Sequence, residues 1–436
     1  MIKKLFIFVF IIILFSSLQA DTIVTIDKKR LEGKITSETS EEVTIQLKYG
    51  EIKIKKSDIV SIDKNKTVWE EYEERSKEIA GTAQAHYELG KWCQKKELLS
   101  DAKFEFKRAL ELDKDFEPAA KELKQIKVEG EGWVTEERAK ELQGFVLHKG
   151  KWIKKEELDS EIDKLQPQFR QEENLPENFY IIKRGNYIFC TETGKEKAKE
   201  MHTAAEALYE AVKNKFEKFL NEKEKEPLKI LLFKNRDNYA KFTLEDGVEK
   251  AGTAYGYYSG TKKKAYLFEN SSNPSTLEML FHEGTHQIFV ERMMPSGGSV
   301  TGWFFEGMAE YFEGADYKNN KLILGTIYRN NLMYFKEALE DGYLKIWKIE
   351  PFLESKTITD FFPFYGTQEC KLAYAEAWLL FYYFLHSENG KNFRNFLKYF
   401  EYETKGKGSI EIFKQIIEKD PNKFAEKVKA YAAQLR

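Results

Sequence analysis

Residues 280–289 read LFHEGTHQIF, which places two histidines four positions apart and a glutamate directly after the first of them. The surrounding segment 276–294 has helical periodicity, and residues four apart lie on one face of a helix. Two imidazoles on one face can bind a single Zn²⁺, and this spacing is typical of such a site. We therefore predict that His282 and His286 are metal ligands and that Glu283 takes a proton from a metal-bound water.

A catalytic zinc site usually has three protein ligands and one open position, so a third ligand is required. A histidine six residues after the second one would complete one known pattern, but Arg292 occupies that position. Twenty residues after His286 comes Glu306, in the phrase WFFEGMAEYF, and the breakers Pro and Gly in segment 294–299 allow the chain to reverse before it. We predict that Glu306 is the third ligand and that Glu310, one turn further, accepts the free ring N–H of a ligand histidine.

These residues, His282, Glu283, His286, Glu306 and Glu310, resemble the gluzincin pattern of thermolysin-like zinc metallopeptidases of the MA clan. The phrase around Glu306 is also similar to that of secreted bacterial MA-like peptidase domains. The resemblance implies a Zn²⁺ cofactor, a peptide or protein substrate, and hydrolysis by a zinc-activated water with Glu283 as general base. It further implies that the substrate binds as an added strand, for which the predicted hairpin 253–268 is the candidate edge.

The resemblance also implies a hydrogen-bond donor for the tetrahedral oxyanion, supplied by a Tyr or His of the helical region that follows. Tyr374, within the apolar helical segment 372–385, is similar in placement to such a tyrosine. Tyr255, Tyr365 and His386 are alternatives, and a core-packing role for Tyr374 stays open.

The first twenty residues have the layout of a secretory signal peptide. Two lysines precede an apolar run of 11 residues, 5–15, and small and polar residues lead to Ala20 at the predicted cleavage site. The run is shorter than the roughly 18 residues that a spanning helix needs, and no later segment is long and uncharged enough. We therefore expect an exported protein, periplasmic or secreted, without a transmembrane span after signal cleavage. An uncleaved N-terminal anchor is the alternative.

The remaining chain changes periodicity several times, which predicts a multidomain α+β protein. Residues 21–66 alternate as short strands and resemble an SH3-like small β-barrel. Residues 67–128 are a predicted helical spacer with one tetratricopeptide-like helix pair. Residues 129–174 form a linker segment with a duplicated Gly-x-Trp phrase. Residues 175–327 are the predicted zincin-like metallopeptidase domain, and residues 328–436 form a helical C-terminal lobe.

Composition excludes several classes of protein. The 436 residues include 70 Lys+Arg and 72 Asp+Glu, and the formal net charge of -2 provides no basic field for nucleic acid. Cys93, Cys190 and Cys370 are odd in number and widely spaced, which excludes a disulfide scaffold and every cysteine-rich zinc site. We expect each cysteine to be a small buried apolar residue.

These features predict an exported zinc-dependent metallopeptidase, and two alternatives stay open. One is a non-catalytic envelope binding or scaffold protein, in which the N-terminal modules contact a protein partner and the histidine segment is an ordinary helix. The other is a zinc hydrolase that acts on a non-peptide amide, because ligands alone do not distinguish the two substrates.

Overall fold

A computed structural model describes residues 21–47, 50–64, 68–148, 150–221, 226–248, 251, 254–294, 298–342, 349–357, 360, 368–387 and 392–436. The chain divides into two compact units, Met1–Leu142 and Gln143–Arg436. The predicted signal peptide and Tyr365 lie outside the described residues.

The first unit begins with a five-stranded antiparallel sheet. Its strands are β1 (Asp21–Thr25), β2 (Arg30–Glu38), β3 (Glu42–Leu47), β4 (Gly50–Lys55) and β5 (Ile59–Asp63), in the spatial order β4-β3-β2-β1-β5. Successive side chains of a strand point to opposite faces, and Ile23, Val43, Ile45 and Ile54 form the buried face. The strands lie where the alternating pattern predicts them, while closure into a barrel stays a prediction.

Helices follow in this unit: α1 (Val68–Glu78), α2 (Ala83–Lys95), α3 (Leu99–Leu112) and α4 (Glu117–Glu122). α2 and α3 pack against each other across a short connection. Gly90 permits their close approach, because a Cβ there would lie 2.5 Å from Cε1 of Phe106. Leu89, Ala102 and Ala109, which belong to the tetratricopeptide-like pattern, are buried in the core of this pair.

The duplicated Gly-x-Trp phrase forms two small hairpins, each followed by a helix. The first copy contains β6 (Ile126–Val128), β7 (Gly132–Val134) and α5 (Glu136–Leu142). The second contains β8 (Phe145–His148), β9 (Lys151–Lys154) and α6 (Lys155–Glu173). The duplicated segment is therefore regular structure rather than a plain linker, and the division between the two units falls between its copies.

The second unit contains a mixed five-stranded sheet. Its elements are β10 (Tyr180–Arg184), β11 (Tyr187–Thr191), α7 (Lys195–Phe216), β12 (Leu228–Phe233), α8 (Arg236–Glu245), β13 (Gly256–Ser259) and β14 (Lys264–Phe268). The spatial order is β10-β11-β12-β14-β13, with β11, β12 and β14 parallel. β12 is almost wholly apolar and buried, as a central parallel strand should be. Among the described residues, β13 lies at the edge of this sheet and pairs with β14 alone.

The apolar runs 179–183 and 228–233, with the long helical stretch 195–220 between them, predict two strands of a β-α-β unit. The structure differs from this prediction in one respect. The predicted first strand, 179–183, corresponds to β10, but the parallel partner of β12 is β11. β10 and β11 form an antiparallel hairpin, so the chain reverses once before it enters α7. The short run 187–191 was not predicted as a strand, because it lies directly after the turn and before a much longer helix.

Helices dominate the rest of the second unit. They are α9 (Thr276–Ile288), α10 (Gly302–Glu313), α11 (Arg329–Glu340), α12 (Ile349–Glu354), α13 (Gln368–His386), α14 (Phe393–Thr404), α15 (Ile410–Ile416) and α16 (Pro421–Gln434). A π-helical turn, Phe289–Met293, extends α9, and a small hairpin, β15 (Asp316–Lys318) and β16 (Lys321–Ile323), follows α10. The predicted mixture of helix and strand with a helical C-terminal region is confirmed. Among the described helices, none combines the length and apolarity needed to span a bilayer.

Helix α10 packs tightly into the helical region. Trp303 and Phe304 are fully buried, and their rings lie 6.2 and 5.1 Å from the ring of Phe381 on α13. At Gly307 the two helices approach so closely that a Cβ would lie 2.5 Å from the backbone oxygen of Ala377. This contact determines the distance between α10 and α13.

We expect Gly307→Ala to lower the free energy of unfolding by about 1–3 kcal/mol, because the added methyl group meets a backbone atom of a packed helix. Gly260→Ala is the matched control, since the nearest atom to its Cβ would lie 3.9 Å away. Scanning calorimetry of the three proteins measures the difference. Equal unfolding temperatures for Gly307→Ala and wild type would contradict the contact.

Candidate metal centre

Helix α9 presents His282 and His286 on one face. The helix begins at a capping box, in which Ser275 Oγ accepts from the N–H of Glu278 and the Glu278 carboxylate accepts from the N–H of Ser275. Regular α-helix spans both histidines, so residues four apart are neighbours on its surface. The Nε2 atoms of His282 and His286 lie 3.1 Å apart. Local helical geometry is therefore sufficient to form the pair.

Helix α10 brings Glu306 to the same point. Glu306 Oε2 lies 3.4 Å from His282 Nε2 and 3.3 Å from His286 Nε2. With the 3.1 Å between the two nitrogens, the three donor atoms form a nearly equilateral triangle. Tetrahedral ligands at about 2.1 Å from one zinc ion lie about 3.4 Å from one another, so the triangle fits such an ion. The structure thus brings together the three residues predicted as ligands.

The charge state of Glu306 also fits a bound cation. Its Oε2 is buried and has no hydrogen-bond partner within the described part of the chain. Burial acts to raise the pKa of Glu306, but the imidazoles of His286 and His282 outweigh it and hold this pKa well below its usual range. A buried carboxylate oxygen without a hydrogen bond is costly, and a cation coordinated by N, N and O ligands would remove that cost.

Glu283 lies beside the triangle, against the edge of the sheet. Its Oε2 accepts a hydrogen bond of 2.7 Å from the backbone N–H of Tyr258 on β13. Gly256 on the same strand permits this approach, because a Cβ there would lie 2.9 Å from Glu283 Cγ. Burial raises the pKa of Glu283, although His282 and His286 act in the opposite direction. A carboxylate whose pKa is raised toward neutral suits proton transfer.

The hydrogen-bond partner of His282 on the other side of its ring is Glu313, not the predicted Glu310. Glu313 Oε2 lies 2.7 Å from His282 Nδ1, whereas Glu310 Oε1 is 3.7 Å away. Glu313 also accepts a hydrogen bond of 2.9 Å from Tyr328 Oη, and Glu310 accepts one of 2.6 Å from Asn331 Nδ2. The segment that leads into α11 therefore decides which carboxylate reaches the imidazole.

The surroundings of His282 are strongly anionic. Burial, together with the neighbouring Glu313, raises the pKa of Glu310 to about 8. Burial acts to lower the pKa of His282, but the neighbouring carboxylates of Glu306 and Glu313 outweigh it and raise this pKa well above its usual range. Closely spaced carboxylates around an imidazole favour a positive charge at this place.

We expect Glu313→Gln to weaken zinc binding by about 10- to 100-fold, because the carboxylate orients the His282 ring and increases the basicity of its ligand nitrogen. Glu310→Gln is the matched control, since its side chain lies 1 Å further from the imidazole in a similar environment. Competition with a chromophoric chelator measures both affinities. Equal losses in the two variants would show that the distance to the ring does not matter.

An aromatic ring orients the second histidine. Phe305 stacks on the imidazole of His286, with 3.9 Å between the ring centroids and an angle of 23° between the planes. His286 Nδ1 is buried and has no hydrogen-bond partner among the described residues. Stacking on Phe305 therefore fixes the plane of the His286 ring, whereas the carboxylate of Glu313 fixes that of His282. Phe305 is not a predicted site residue, and its position beside Glu306 is the signal that points to it.

Tyr374 is the oxyanion candidate that lies against the metal centre. Its half-buried side chain places the ring centroid 6.4 Å from that of His282. His386 lies twelve residues further along α13, about 18 Å along the helix axis, and its Nε2 is 2.9 Å from Tyr311 Oη. Tyr255 precedes the edge strand β13 and is 42% exposed. The position of Tyr374 agrees with a role at the site.

His86 and His202 have structural surroundings, as do the cysteines. His86 Nδ1 lies 2.5 Å from the buried carboxylate of Glu105, and the buried His202 ring contacts the backbone oxygen of Arg184 at 3.1 Å. All three cysteines are buried, as predicted, and they form no disulfide with one another: Cys93, Cys190 and Cys370. These residues add no ligand to the centre.

Comparison with known proteins adds one finding. The model of one protein family, described as "Protein of unknown function (DUF1570)", matches residues 276–405. This segment is less than a third of the chain. The matched segment begins at the first residue of α9 and ends just after α14, so it includes the histidine pair, Glu306 and Tyr374. No curated protein matches the chain.

Proposed function

We propose that this protein is an exported zinc-dependent metallopeptidase in which His282, His286 and Glu306 bind Zn²⁺. The observation that carries the proposal is the triangle of donor atoms with edges of 3.1, 3.3 and 3.4 Å, beside the half-buried carboxylate of Glu283. Three protein ligands and an adjacent general base are the parts of a hydrolytic zinc site. The signal-peptide layout of residues 1–20 supports export.

Zn²⁺ held by His282, His286 and Glu306 would supply a Lewis acid, which lowers the pKa of water and polarises a carbonyl group. Glu283 supplies the general base: its carboxylate accepts the proton of the attacking water and then donates that proton to the leaving amine. The N–H of Tyr258 fixes Glu283 Oε2, whereas Oε1 has no hydrogen bond among the described residues. One oxygen thus holds the side chain in place while the other is available to the water.

Other side chains orient the reacting groups. Tyr374 is the proposed donor to the oxyanion, supported by the 6.4 Å distance of its ring from that of His282. Glu313 and Phe305 hold the two imidazoles, the first by a hydrogen bond and the second by stacking. These contacts come from three helices, so the site is preorganised before a substrate arrives.

The proposed substrate edge is β13. As an edge strand it has backbone groups that can pair with an extended peptide. The N–H of Tyr258 donates to Glu283, so this edge faces the catalytic carboxylate. A peptide paired along β13 would therefore place its backbone carbonyls next to the general base, which favours a peptide over a compact small molecule.

Digestion of a defined peptide library by the zinc-loaded chain, with mass spectrometry of the products, tests the proposal. We expect cleavage that disappears after treatment with a chelator and returns with added Zn²⁺. Cleavage by metal-free protein would contradict the mechanism. Stoichiometric zinc without peptide cleavage would favour a non-peptide amide substrate, and absence of zinc would favour a binding or scaffold protein.

A further inference from the structure

A buried glutamate from the C-terminal helical region holds the first turn of α10. Glu403 on α14 is fully buried and accepts hydrogen bonds from Thr301 N at 3.0 Å, Thr301 Oγ1 at 2.5 Å and Tyr399 Oη at 2.7 Å. Thr301 is the N-cap residue of α10, 102 residues before Glu403 in the chain. We call this set of three residues, Thr301, Tyr399 and Glu403, the clamp.

The clamp takes the place of an ordinary helix cap. An N-cap threonine usually accepts a hydrogen bond from the second or third N–H of its own helix. Thr301 makes no such bond, and its hydroxyl donates to Glu403 instead. The next N–H, of Gly302, donates to the backbone oxygen of Ser355 at 2.6 Å. The start of α10 is therefore attached to distant parts of the chain rather than closed on itself.

Two further contacts restrict the position of this helix end. Gly406, at a φ of +65°, lies so close to the chain before α10 that a Cβ would be 2.8 Å from Gly298 Cα and 2.9 Å from Ser299 N. One residue into α10, Trp303 stacks on Tyr399 of the clamp, with 5.7 Å between ring centroids and an angle of 28°. Backbone contact and ring stacking oppose both sliding and rotation of the helix.

Rotation matters because α10 carries the third ligand. Glu306 lies five residues after Thr301, about 7.5 Å along the axis, and a slip of one residue turns a helix by about 100°. Zinc–ligand distances tolerate deviations of only about 0.2 Å. The orientation of α10 at Thr301 therefore decides whether Glu306 Oε2 completes the triangle with the two histidines.

We infer that Glu403 is a positioning residue of the metal centre, which sets the place of Glu306 by clamping the start of α10. The C-terminal helical region is then a part of the zinc site rather than an independent appendage. This inference rests on the proposed function, because it requires that His282, His286 and Glu306 bind zinc.

The test compares zinc affinity in four variants of the full chain, by competition of Zn²⁺ with a chromophoric chelator. Glu403→Gln keeps the shape of the side chain but replaces one acceptor with a donor that faces Thr301. Thr301→Val removes one hydrogen bond, and Thr301→Ser retains it. Glu401→Gln is the control on the same helix, because Glu401 pairs with Lys405 at the surface.

We expect Glu403→Gln and Thr301→Val to bind zinc about tenfold more weakly or worse, as for other residues that orient a ligand. Thr301→Ser and Glu401→Gln should bind as the wild type does. The unfolding temperature of each metal-free variant is measured in parallel, which separates positioning from general stability. If Glu403→Gln does not fold, Thr301→Val and its Thr301→Ser rescue decide the question.

A purely structural role of Glu403 predicts a lower unfolding temperature with unchanged zinc affinity. That result would overturn this inference but not the proposed function. Absence of zinc binding by the wild-type chain would reject the proposed function and the inference with it. Wild-type binding together with a selective loss in Glu403→Gln and Thr301→Val supports both.

Discussion

Glu283→Gln should bind zinc as the wild-type protein does but lose peptide hydrolysis, with kcat/KM lowered by about 10²- to 10⁴-fold. Glutamine has nearly the same shape and can still accept the hydrogen bond from Tyr258 N–H, so the edge strand and α9 should stay in place. It has no carboxylate that can accept the proton of the attacking water. The loss therefore affects the chemical step rather than the fold.

The measurement combines zinc content by plasma mass spectrometry with the initial rate on a peptide identified from the library. Glu245→Gln, an exposed glutamate on α8 of the same unit, controls for the loss of one negative charge. Full activity in Glu283→Gln would remove Glu283 from the mechanism. Loss of zinc in this variant would show instead that Glu283 supports the metal site.

Glu306→Ala should abolish stoichiometric zinc binding. The substitution removes one of three ligand atoms, so the loss of affinity should exceed the roughly 10- to 100-fold that a change behind a ligand costs. It also leaves His282 and His286 as a two-ligand site, which is short of the three protein ligands of catalytic zinc. Activity should disappear together with the metal.

Zinc content and thermal unfolding both measure this effect. A ligand at 1,000 times its dissociation constant stabilises the folded protein by about 4 kcal/mol, so added Zn²⁺ should raise the unfolding temperature of the wild type. Glu306→Ala should show no such increase, while Glu245→Ala should respond as the wild type does. Equal zinc content in the wild type and Glu306→Ala would exclude Glu306 as a ligand.

The two predictions separate the parts of the site. Glu306→Ala tests whether a three-ligand centre exists, and Glu283→Gln tests whether that centre performs hydrolysis. If the Glu306→Ala prediction fails, there is no zinc enzyme chemistry at this place. The N-terminal modules then become the better candidates for the function of the protein. If the Glu306→Ala prediction holds and the Glu283→Gln prediction fails, the protein binds zinc without the proposed proton transfer.

Agreement between sequence and structure is closest where a single helix or strand is involved. The helix α9, the histidine spacing and strands such as β12 follow from local periodicity and lie where they are predicted. The strand β11 was missed because a run of five residues after a turn has too little pattern to stand out. It pairs on one side with the adjacent β10 and on the other with β12, whose residues lie 41 positions further along the chain.

The second carboxylate shows the same limit within the site. Glu306, Glu310 and Glu313 lie on neighbouring turns of α10, so spacing along the helix allows either of the last two to approach His282. Tyr328 and Asn331 hold Glu313 and Glu310 in different places, and only Glu313 comes within 2.7 Å of the imidazole. Both donors belong to the segment that enters α11, which no local pattern relates to the metal ligands.

The sequence by itself determined the donor residues of the proposed centre, because helical periodicity converts a spacing of four residues into adjacency in space. It also determined the apolar strands and helices whose side chains form the core of the second unit. Tertiary packing decided the distance of Glu306 from the histidines, the choice of Glu313 over Glu310, the stacking of Phe305 and the approach of Tyr374. Those features depend on how α10 packs against α9 and how α13 packs against α10. That packing arises from contacts such as Thr301 with Glu403, between residues far apart in the chain.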